Sequence, residues 1–301
     1  MFKEILAPVD RSTCAETALA YAAAMAQAFN ARVTVLHVME RAHALMPALA
    51  DPIEWQINRA EADTYMQECV NHLHAGGIEA TWQIIEGEPA DRIHDIIRER
   101  QIDLVVLGAH GRTNTSLWNL GSVAQKIINL APTSLLIVRP AMQPSAEPAG
   151  VNFHRIMLPL DASQRAECVL PAAITLSQKQ HSQVLLVHVV ERLHMPRRTP
   201  LTAREKKLSD TITELNRLEA ERYLAGLKGR FTLPVDTRVI LNAPLAPALH
   251  QISQDEHIDL VVLSAHGHTS HMSWPYGSLV ASFIAHGNTN VMIVQDMQQQ
   301  G

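Results

Sequence analysis

Short apolar runs alternate with longer segments of mixed apolar and polar residues along the whole chain. In the first half the apolar runs predict five strands, and the segments between them predict four helices. The predicted strands are 5–9, 33–38, 80–85, 104–107 and 134–138, and the predicted helices are 12–29, 53–73, 91–99 and 121–129. The second half repeats this order. Such alternation predicts an α/β fold with right-handed crossovers and an open parallel five-stranded sheet in each half.

A long internal repeat indicates that one fold is built twice. Residues 102–111, IDLVVLGAHG, return as IDLVVLSAHG at 258–267, with nine of ten residues identical. EILAPVD at 4–10 likewise matches RIMLPLD at 155–161. We therefore expect two tandem domains, 1–140 and 154–301, joined by a linker at 141–153. The offset between the halves grows from 151 to 156 residues, which predicts about five extra residues between the second and third strands of the second half.

The composition is typical of globular domains and gives no indication of nucleic-acid binding. The 301 residues are 47% hydrophobic but only 4% aromatic, so aliphatic side chains must fill the core of a parallel sheet covered by helices. The net charge is −5, and neither half is strongly basic, which argues against nucleic acid as a partner.

The sequence also lacks membrane and secretion signals. No run of 18 or more apolar residues occurs, and the N-terminal residues lack the apolar core of a signal peptide. The three cysteines form no CxxC pair, which fits a reducing compartment. We therefore expect a cytoplasmic protein with no membrane partner.

A glycine motif follows the fourth predicted strand of each half. In the first half it reads Gly108-x2-Gly111-x9-Gly121-Ser122. Glycine lets the backbone approach a ligand and adopt positive φ, and the amides that open a helix at Gly121-Ser122 suit a phosphate. Ligands bind at the carboxyl ends of strands in such sheets. We expect Asp10 and the glycine motif to form one crevice, provided that strands one and four are neighbours.

The motif differs from two common nucleotide-binding motifs and resembles that of a known family. The chain has neither Gly-x4-Gly-Lys-Ser/Thr nor Gly-x-Gly-x-x-Gly after its first strand. Pro8-Val9-Asp10, Val38 and Gly-x2-Gly-x9-Gly-Ser together resemble the universal stress protein family, over nearly the whole chain. The resemblance implies a tandem member with a Rossmann-like fold of the adenine nucleotide alpha-hydrolase type, its two halves packed as a pseudo-dimer. It also implies a site for ATP, or for ADP or AMP, together with Mg²⁺.

By position, the resemblance places adenine near Asp10 and Val38, and ribose and phosphates near the glycine motif. The implied first-half site comprises Pro8, Val9, Asp10, Val38, Gly108, His110, Gly111, Arg112, Gly121, Ser122 and Val123. The matching second-half site comprises Pro159, Leu160, Asp161, Val189, Ser264, Gly267, His268, Gly277, Ser278 and Leu279.

The second half departs from the motif where Ser264 stands in place of Gly108. The Ser264 side chain could crowd the ribose, or its hydroxyl could donate a further hydrogen bond, so nucleotide binding in that half stays open on the sequence alone. The loops differ as well, because Arg112, a permanent cation suited to phosphate, is replaced by His268.

Other polar groups have a structural explanation beside a functional one. The histidines within 266–271 lie close together, but no cysteine is nearby, so local hydrogen bonding is a simpler account than zinc binding. Cys14 could be redox-active, yet no charged neighbour in sequence supports a lowered pKa, and we expect a packed thiol. Glu86 and Glu88 could hold a divalent ion, but a carboxylate before a helix stabilises its N-terminus by itself.

Three functions stay open. The first is a nucleotide-binding stress-response module whose ligand changes its surface; since no evident base activates water, we expect at most slow ATP hydrolysis. An adenylating or phosphorylating enzyme would need more catalytic cations than Arg112 alone. A nucleotide-free scaffold or small-molecule carrier is the third. Strand five would lie at a sheet edge, where we expect the halves to pair and where two chains could form a homodimer.

Overall fold

The computed structural model describes residues 1–40, 52–111, 120–130, 132–139, 151–191, 202–267 and 276–295. The chain divides into two compact units, whose main parts are Met1–Asn152 and Phe153–Thr289. Each unit alternates strands with helices, as the apolar pattern predicts. Among the described residues we find no helix whose length and hydropathy would let it cross a membrane.

The predicted elements of the first unit are confirmed in its described residues, and their bounds shift by at most two positions. In chain order they are β1 (Glu4–Pro8), α1 (Thr13–Phe29), β2 (Arg32–Met39), α2 (Pro52–Ala75), β3 (Ala80–Glu86), α3 (Pro89–Glu99), β4 (Leu104–Gly108), α4 (Ser122–Leu130) and β5 (Ser134–Val138).

The strand order of the first unit is β3-β2-β1-β4-β5. Strand β1 pairs in parallel with β2 on one side and with β4 on the other, so that Leu6 lies opposite both Thr34 and Val105. The chain thus runs outward from β1 to β3 and then restarts on the far side of β1 with β4. The carboxyl ends of β1 and β4 meet at this reversal, which is where open parallel sheets bind ligands.

Aliphatic strand residues and alanine form the core of the first unit. Ile5, Leu6 and Leu104 are fully buried, and Ala18 and Ala22 are buried on α1, which packs on β1 and β4. The small alanine side chains let the backbone of α1 lie close to the sheet. Helix α1 ends at Asn30, whose left-handed φ of 53° is one that asparagine tolerates.

The second unit repeats the strand order as β8-β7-β6-β9-β10. Its elements are β6 (Arg155–Pro159), a 3₁₀ helix (Ala166–Val169), α5 (Leu170–Gln180), β7 (Gln183–Val190), α6 (Ala203–Lys228), β8 (Val235–Leu241), α7 (Leu245–Asp255), β9 (Leu260–Ser264), α8 (Ser278–His286) and β10 (Asn290–Val294). The 3₁₀ helix is a feature that the apolar pattern does not predict, since the matching residues of the first unit begin α1.

Strand register locates the insertion in the second unit. His188 follows His37 by 151 residues, whereas their strand partners, Val239 and Ile84, are 155 residues apart. Four of the five expected extra residues therefore lie between the second and third strands. The fifth lies between the third and fourth strands, because β9 begins 156 residues after β4.

Candidate functional site

The loop after β1 is held by the carboxylate of Asp10. Its Oδ1 atom accepts hydrogen bonds from the Ser12 amide at 3.1 Å and from the Ser12 hydroxyl at 2.5 Å. Ser12 in turn caps α1, because its Oγ accepts from the Ala15 amide at 3.2 Å. One carboxylate oxygen of Asp10 is thus engaged in the loop, while the other, Oδ2, lies beside Gly111.

Two glycines of the motif are required by contacts within the protein. A Cβ atom on Gly108 would lie 2.7 Å from the Cys14 Sγ and 3.1 Å from the Cys14 carbonyl oxygen. A Cβ atom on Gly111 would lie 2.7 Å from Asp10 Oδ2. Contacts this short are repulsive. Glycine at 108 therefore lets the first turn of α1 pack on β4, and glycine at 111 makes room for the Asp10 carboxylate.

Gly121 is different, because the described residues around it leave room for a Cβ atom. A Cβ atom there would have its nearest neighbours at 3.5–3.7 Å, which is ordinary van der Waals contact. The Gly121 amide donates to the Ala109 carbonyl at 2.8 Å, which fastens the start of α4 to the end of β4. Ser122 is exposed and Val123 half-buried in the first turn of α4. The first amides of a helix have no acceptor within it, and a glycine before the helix offers no side chain to cap them.

The motif glycines do not have the positive φ that the sequence predicts for them. Gly77 and Gly87, outside the motif, are the glycines with positive φ among the described residues. Seven described non-glycine residues have a positive φ, and two of them, Arg11 and Ala162, each with φ of 64°, directly follow the strand-end aspartates. Such a conformation costs about 1–2 kcal/mol for a non-glycine residue and is found preferentially at functional sites. Its recurrence in both units was not foreseen from the sequence.

A histidine on the neighbouring strand fixes the end of β1. His37 Nδ1 donates to the Val9 carbonyl at 2.8 Å, and the Val9 amide donates to the Leu36 carbonyl at 2.8 Å. His37 is buried, whereas Val38, which follows it, is half-buried at the carboxyl end of β2. The structure thus brings Pro8, Val9, Asp10, Gly108, His110, Gly111 and Gly121 to adjoining strand ends, with Val38 one strand further along.

The second unit repeats most of this geometry. Asp161 Oδ1 accepts from the Ser163 amide at 2.9 Å, and a Cβ atom on Gly267 would lie 2.7 Å from Asp161 Oδ2. The Gly277 amide donates to Ala265 at 2.8 Å, and Gly277 is the N-cap of α8 without a side-chain cap. The remaining predicted residues lie at the matching strand ends and in the first turn of α8: Pro159, Leu160, Val189, Ser278 and Leu279.

Ser264 makes the local difference between the units. Its Oγ donates to the His266 carbonyl at 2.7 Å, so the hydroxyl is engaged within its own loop. At this level the first unit has the first turn of α1, whereas the second has a 3₁₀ helix. Cys168 Sγ lies 4.0 Å from the Val294 carbonyl, much as Cys14 Sγ lies 3.9 Å from the Val138 carbonyl. The unit that carries a side chain at this position, Ser264, therefore also begins its first helical segment with a 3₁₀ turn instead of an α-helical one.

Two residues of the predicted sites lie outside the described residues, and the described ranges contain no cluster of candidate metal ligands. Arg112 and His268 lie outside the described residues, as does part of the histidine cluster at 266–271. In the described ranges no group of three or more His, Cys, Asp or Glu side chains could hold a metal ion. Glu88 instead accepts a 2.8 Å hydrogen bond from Lys126, which links the start of α3 to α4.

Cys14 is expected to react slowly in the folded protein. Burial raises the pKa of its thiol, and backbone hydrogen bonds from His110 and Ala109 offset only part of that rise. Fewer thiolates therefore form near neutral pH than at an exposed cysteine. Iodoacetamide labelling read by peptide mass spectrometry should modify half-exposed Cys168 first, and buried Cys14 only at higher pH or after unfolding. Equal labelling of the two at neutral pH would contradict this assignment.

Comparison with known proteins gives consistent matches. The model of the family described as "Universal stress protein family" matches residues 1–139 and 152–295. A universal stress protein of Thermus aquaticus is 32% identical over 144 residues, which cover 46% of this chain and all of that protein. One from Mycobacterium tuberculosis is 22% identical over 317 residues, covering 97% of this chain and 94% of the relative. The crystal structure of one from Archaeoglobus fulgidus has a TM-score of 0.65 at 18% identity, covering 98% of each chain, and shares the fold.

Proposed function

Because this chain belongs to the universal stress protein family, we propose that its first unit binds ATP, or ADP or AMP, at the carboxyl ends of β1 and β4. The proposal rests chiefly on Gly121. Internal contacts account for Gly108 and Gly111, whereas no contact with the described residues requires glycine at position 121. An anion between the Gly111 loop and the start of α4 would receive backbone N–H groups and the positive end of the helix dipole.

The two sides of the crevice offer different hydrogen-bonding groups, and we expect each side to bind a different end of the nucleotide. The phosphates would lie on the β4 side, against Gly111, Gly121 and the first turn of α4, whose side chains Ser122 and Val123 would border them. The base would lie on the β1 side, near Asp10 and Val38. Of the Asp10 carboxylate oxygens, Oδ1 accepts hydrogen bonds from Ser12 and Oδ2 lies beside Gly111. Mg²⁺, when bound, would be held by the phosphate oxygens and would screen their charge.

We propose that the protein acts as a ligand-linked module, not as an efficient enzyme. Residues 112–119 connect the two halves of the glycine motif, so we expect a nucleotide that engages both halves to change the conformational free energy of the segment between them. In the described part of the crevice, Asp10 is the carboxylate that could act as a base, and one of its oxygens already accepts two hydrogen bonds. Such a group is a poor base for water, so we expect at most slow hydrolysis.

The two units should differ in occupancy. Since the Ser264 hydroxyl donates to His266, it does not serve as an added donor for a ligand. We expect one tightly bound nucleotide per chain, in the first unit, and weaker binding in the second. The domain limits at 1–140 and 154–301, pairing of the halves, a homodimer and a cytoplasmic location stay predictions.

Equilibrium dialysis of the full chain against ATP, ADP and AMP tests the proposal, with mass spectrometry of any ligand released by mild denaturation. We expect an adenine nucleotide in the released fraction and one tight site per chain. Turnover measured in parallel should be far below one per minute, the scale of a dedicated ATPase being roughly 1 per second or more. A different copurified molecule, or no nucleotide binding at all, would favour the carrier or scaffold function.

A further inference from the structure

Arg11 occupies a conspicuous position next to Asp10 and reaches across to α2. Its Nη1 atom lies 3.1 Å from Glu61 Oε2, and its Nη2 donates to the Asn58 carbonyl at 3.4 Å. Its guanidinium carbon lies 6.0 Å from the centre of the Tyr65 ring. The residue is therefore fastened at the far end of its side chain, while its backbone has the left-handed φ of 64°.

The Nε–H group of Arg11 has no acceptor among the residues that the structure describes. Within the described part of the chain this atom is buried and makes no hydrogen bond, although the side chain as a whole is 29% exposed. A buried donor without a partner destabilises the protein, and such groups in native structures usually await a water, an ion or a ligand. Strained backbone and an unpaired donor thus coincide at one residue, immediately after the aspartate of the candidate site.

The direction in which Arg11 reaches indicates which part of a ligand it would meet. Helix α2 packs on β2 and β3, so the guanidinium lies on the β2 side of β1. The phosphate-binding amides of the proposed site lie on the opposite side, at β4 and the start of α4. An acceptor for the Arg11 Nε–H would therefore belong to the base or the ribose.

We propose that Arg11 is a further binding residue of the first unit, whose Nε–H donates to an acceptor on the nucleoside part of the bound nucleotide. This inference rests on the proposed function. Glu61 and the Asn58 carbonyl hold the guanidinium in place for it. The second unit has Ala162 at the same φ and so lacks this donor, which makes the nucleoside end of the first site the more selective of the two.

Arg11→Ala tests the proposal, because it copies the residue that the second unit carries at the same backbone conformation. Arg11→Lys is the matched control for charge, since lysine can pair with Glu61 but has no Nε–H. Binding of adenosine and of ATP to the full chain is measured by calorimetry, with urea denaturation as the check on folding. We expect both variants to bind both ligands roughly tenfold or more weakly, by the same factor for each, while cooperative urea unfolding shows that each variant is folded.

Two results would overturn the inference: affinity equal to the unchanged protein for both ligands, or a loss confined to ATP, which would place Arg11 at the phosphates. These outcomes leave the proposed function intact. Failure of the unchanged protein to bind adenosine and ATP would instead overturn the proposed function and this inference together.

Discussion

Replacing Gly121 by valine is expected to lower the affinity of the first unit for ATP at least a hundredfold while the unit stays folded. The described residues leave room for a Cβ atom there, 3.5–3.7 Å from its nearest neighbours, and Ser122 beside it is exposed. We therefore expect the two further methyl groups to be accommodated at a cost of roughly 1 kcal/mol. The added methyl groups would fill the space between the Gly111 amide and the start of α4. Loss of two charge-assisted hydrogen bonds to phosphate, at about 1.5 kcal/mol or more each, gives the expected factor.

Gly277→Val is the matched control for this substitution. Gly277 precedes α8 in the second unit as Gly121 precedes α4, and its amide makes the equivalent 2.8 Å hydrogen bond. The control should leave the tight site unchanged in calorimetry, whereas Gly121→Val removes it. If Gly121→Val bound ATP normally in a folded protein, the phosphates would not lie at the start of α4.

Replacing Gly108 by alanine is expected to destabilise the first unit by about 1–3 kcal/mol, an effect on folding and not primarily on binding. The new Cβ would lie 3.1 Å from the Cys14 carbonyl oxygen and 3.2 Å from its carbon, which are backbone atoms of α1. Backbone cannot rotate away as a flexible side chain can, so the first turn of α1 would have to shift. Urea unfolding followed by circular dichroism measures the loss.

The control for Gly108→Ala is Ser264→Ala in the second unit. That position already carries a side chain, so the substitution removes one hydrogen bond to His266 and adds no atom, at a cost of roughly 1 kcal/mol. A larger loss from Ser264→Ala than from Gly108→Ala would contradict the steric account of Gly108.

Much of the fold was predictable because the chain is duplicated and its strands are uniformly aliphatic. Adjacency of β1 and β4 was the one condition that the predicted crevice needed, and the pairing of Leu6 with Val105 meets it. The apolar pattern missed the 3₁₀ helix at Ala166–Val169, because a 3₁₀ turn and an α-helical turn bury similar residues and differ only in local hydrogen bonding.

The sequence predicted which residues form the candidate site, but it did not predict the separate role of each residue. Three glycines in one motif look alike in sequence, yet Gly108 makes room for Cys14 and Gly111 makes room for Asp10, whereas the described residues leave room for a Cβ atom at Gly121. Cys14 lies 94 residues before Gly108 in the chain, and Asp10 lies 101 residues before Gly111. Arg11 was missed for the same reason, since its partner Glu61 is 50 residues distant and no local pattern connects them. A comparison of Arg11 with Ala162 in the repeat was the available hint.

The histidine that secures the end of β1 must carry its hydrogen on one particular nitrogen. His37 donates to the Val9 carbonyl through Nδ1, and His188 donates to the Leu160 carbonyl in the same way at 2.8 Å. A carbonyl oxygen can only accept a hydrogen bond, so the hydrogen of each neutral ring lies at Nδ1 and Nε2 is the acceptor atom. Both units thus select the same histidine tautomer and hold the imidazole in one orientation at the strand end that precedes the aspartate.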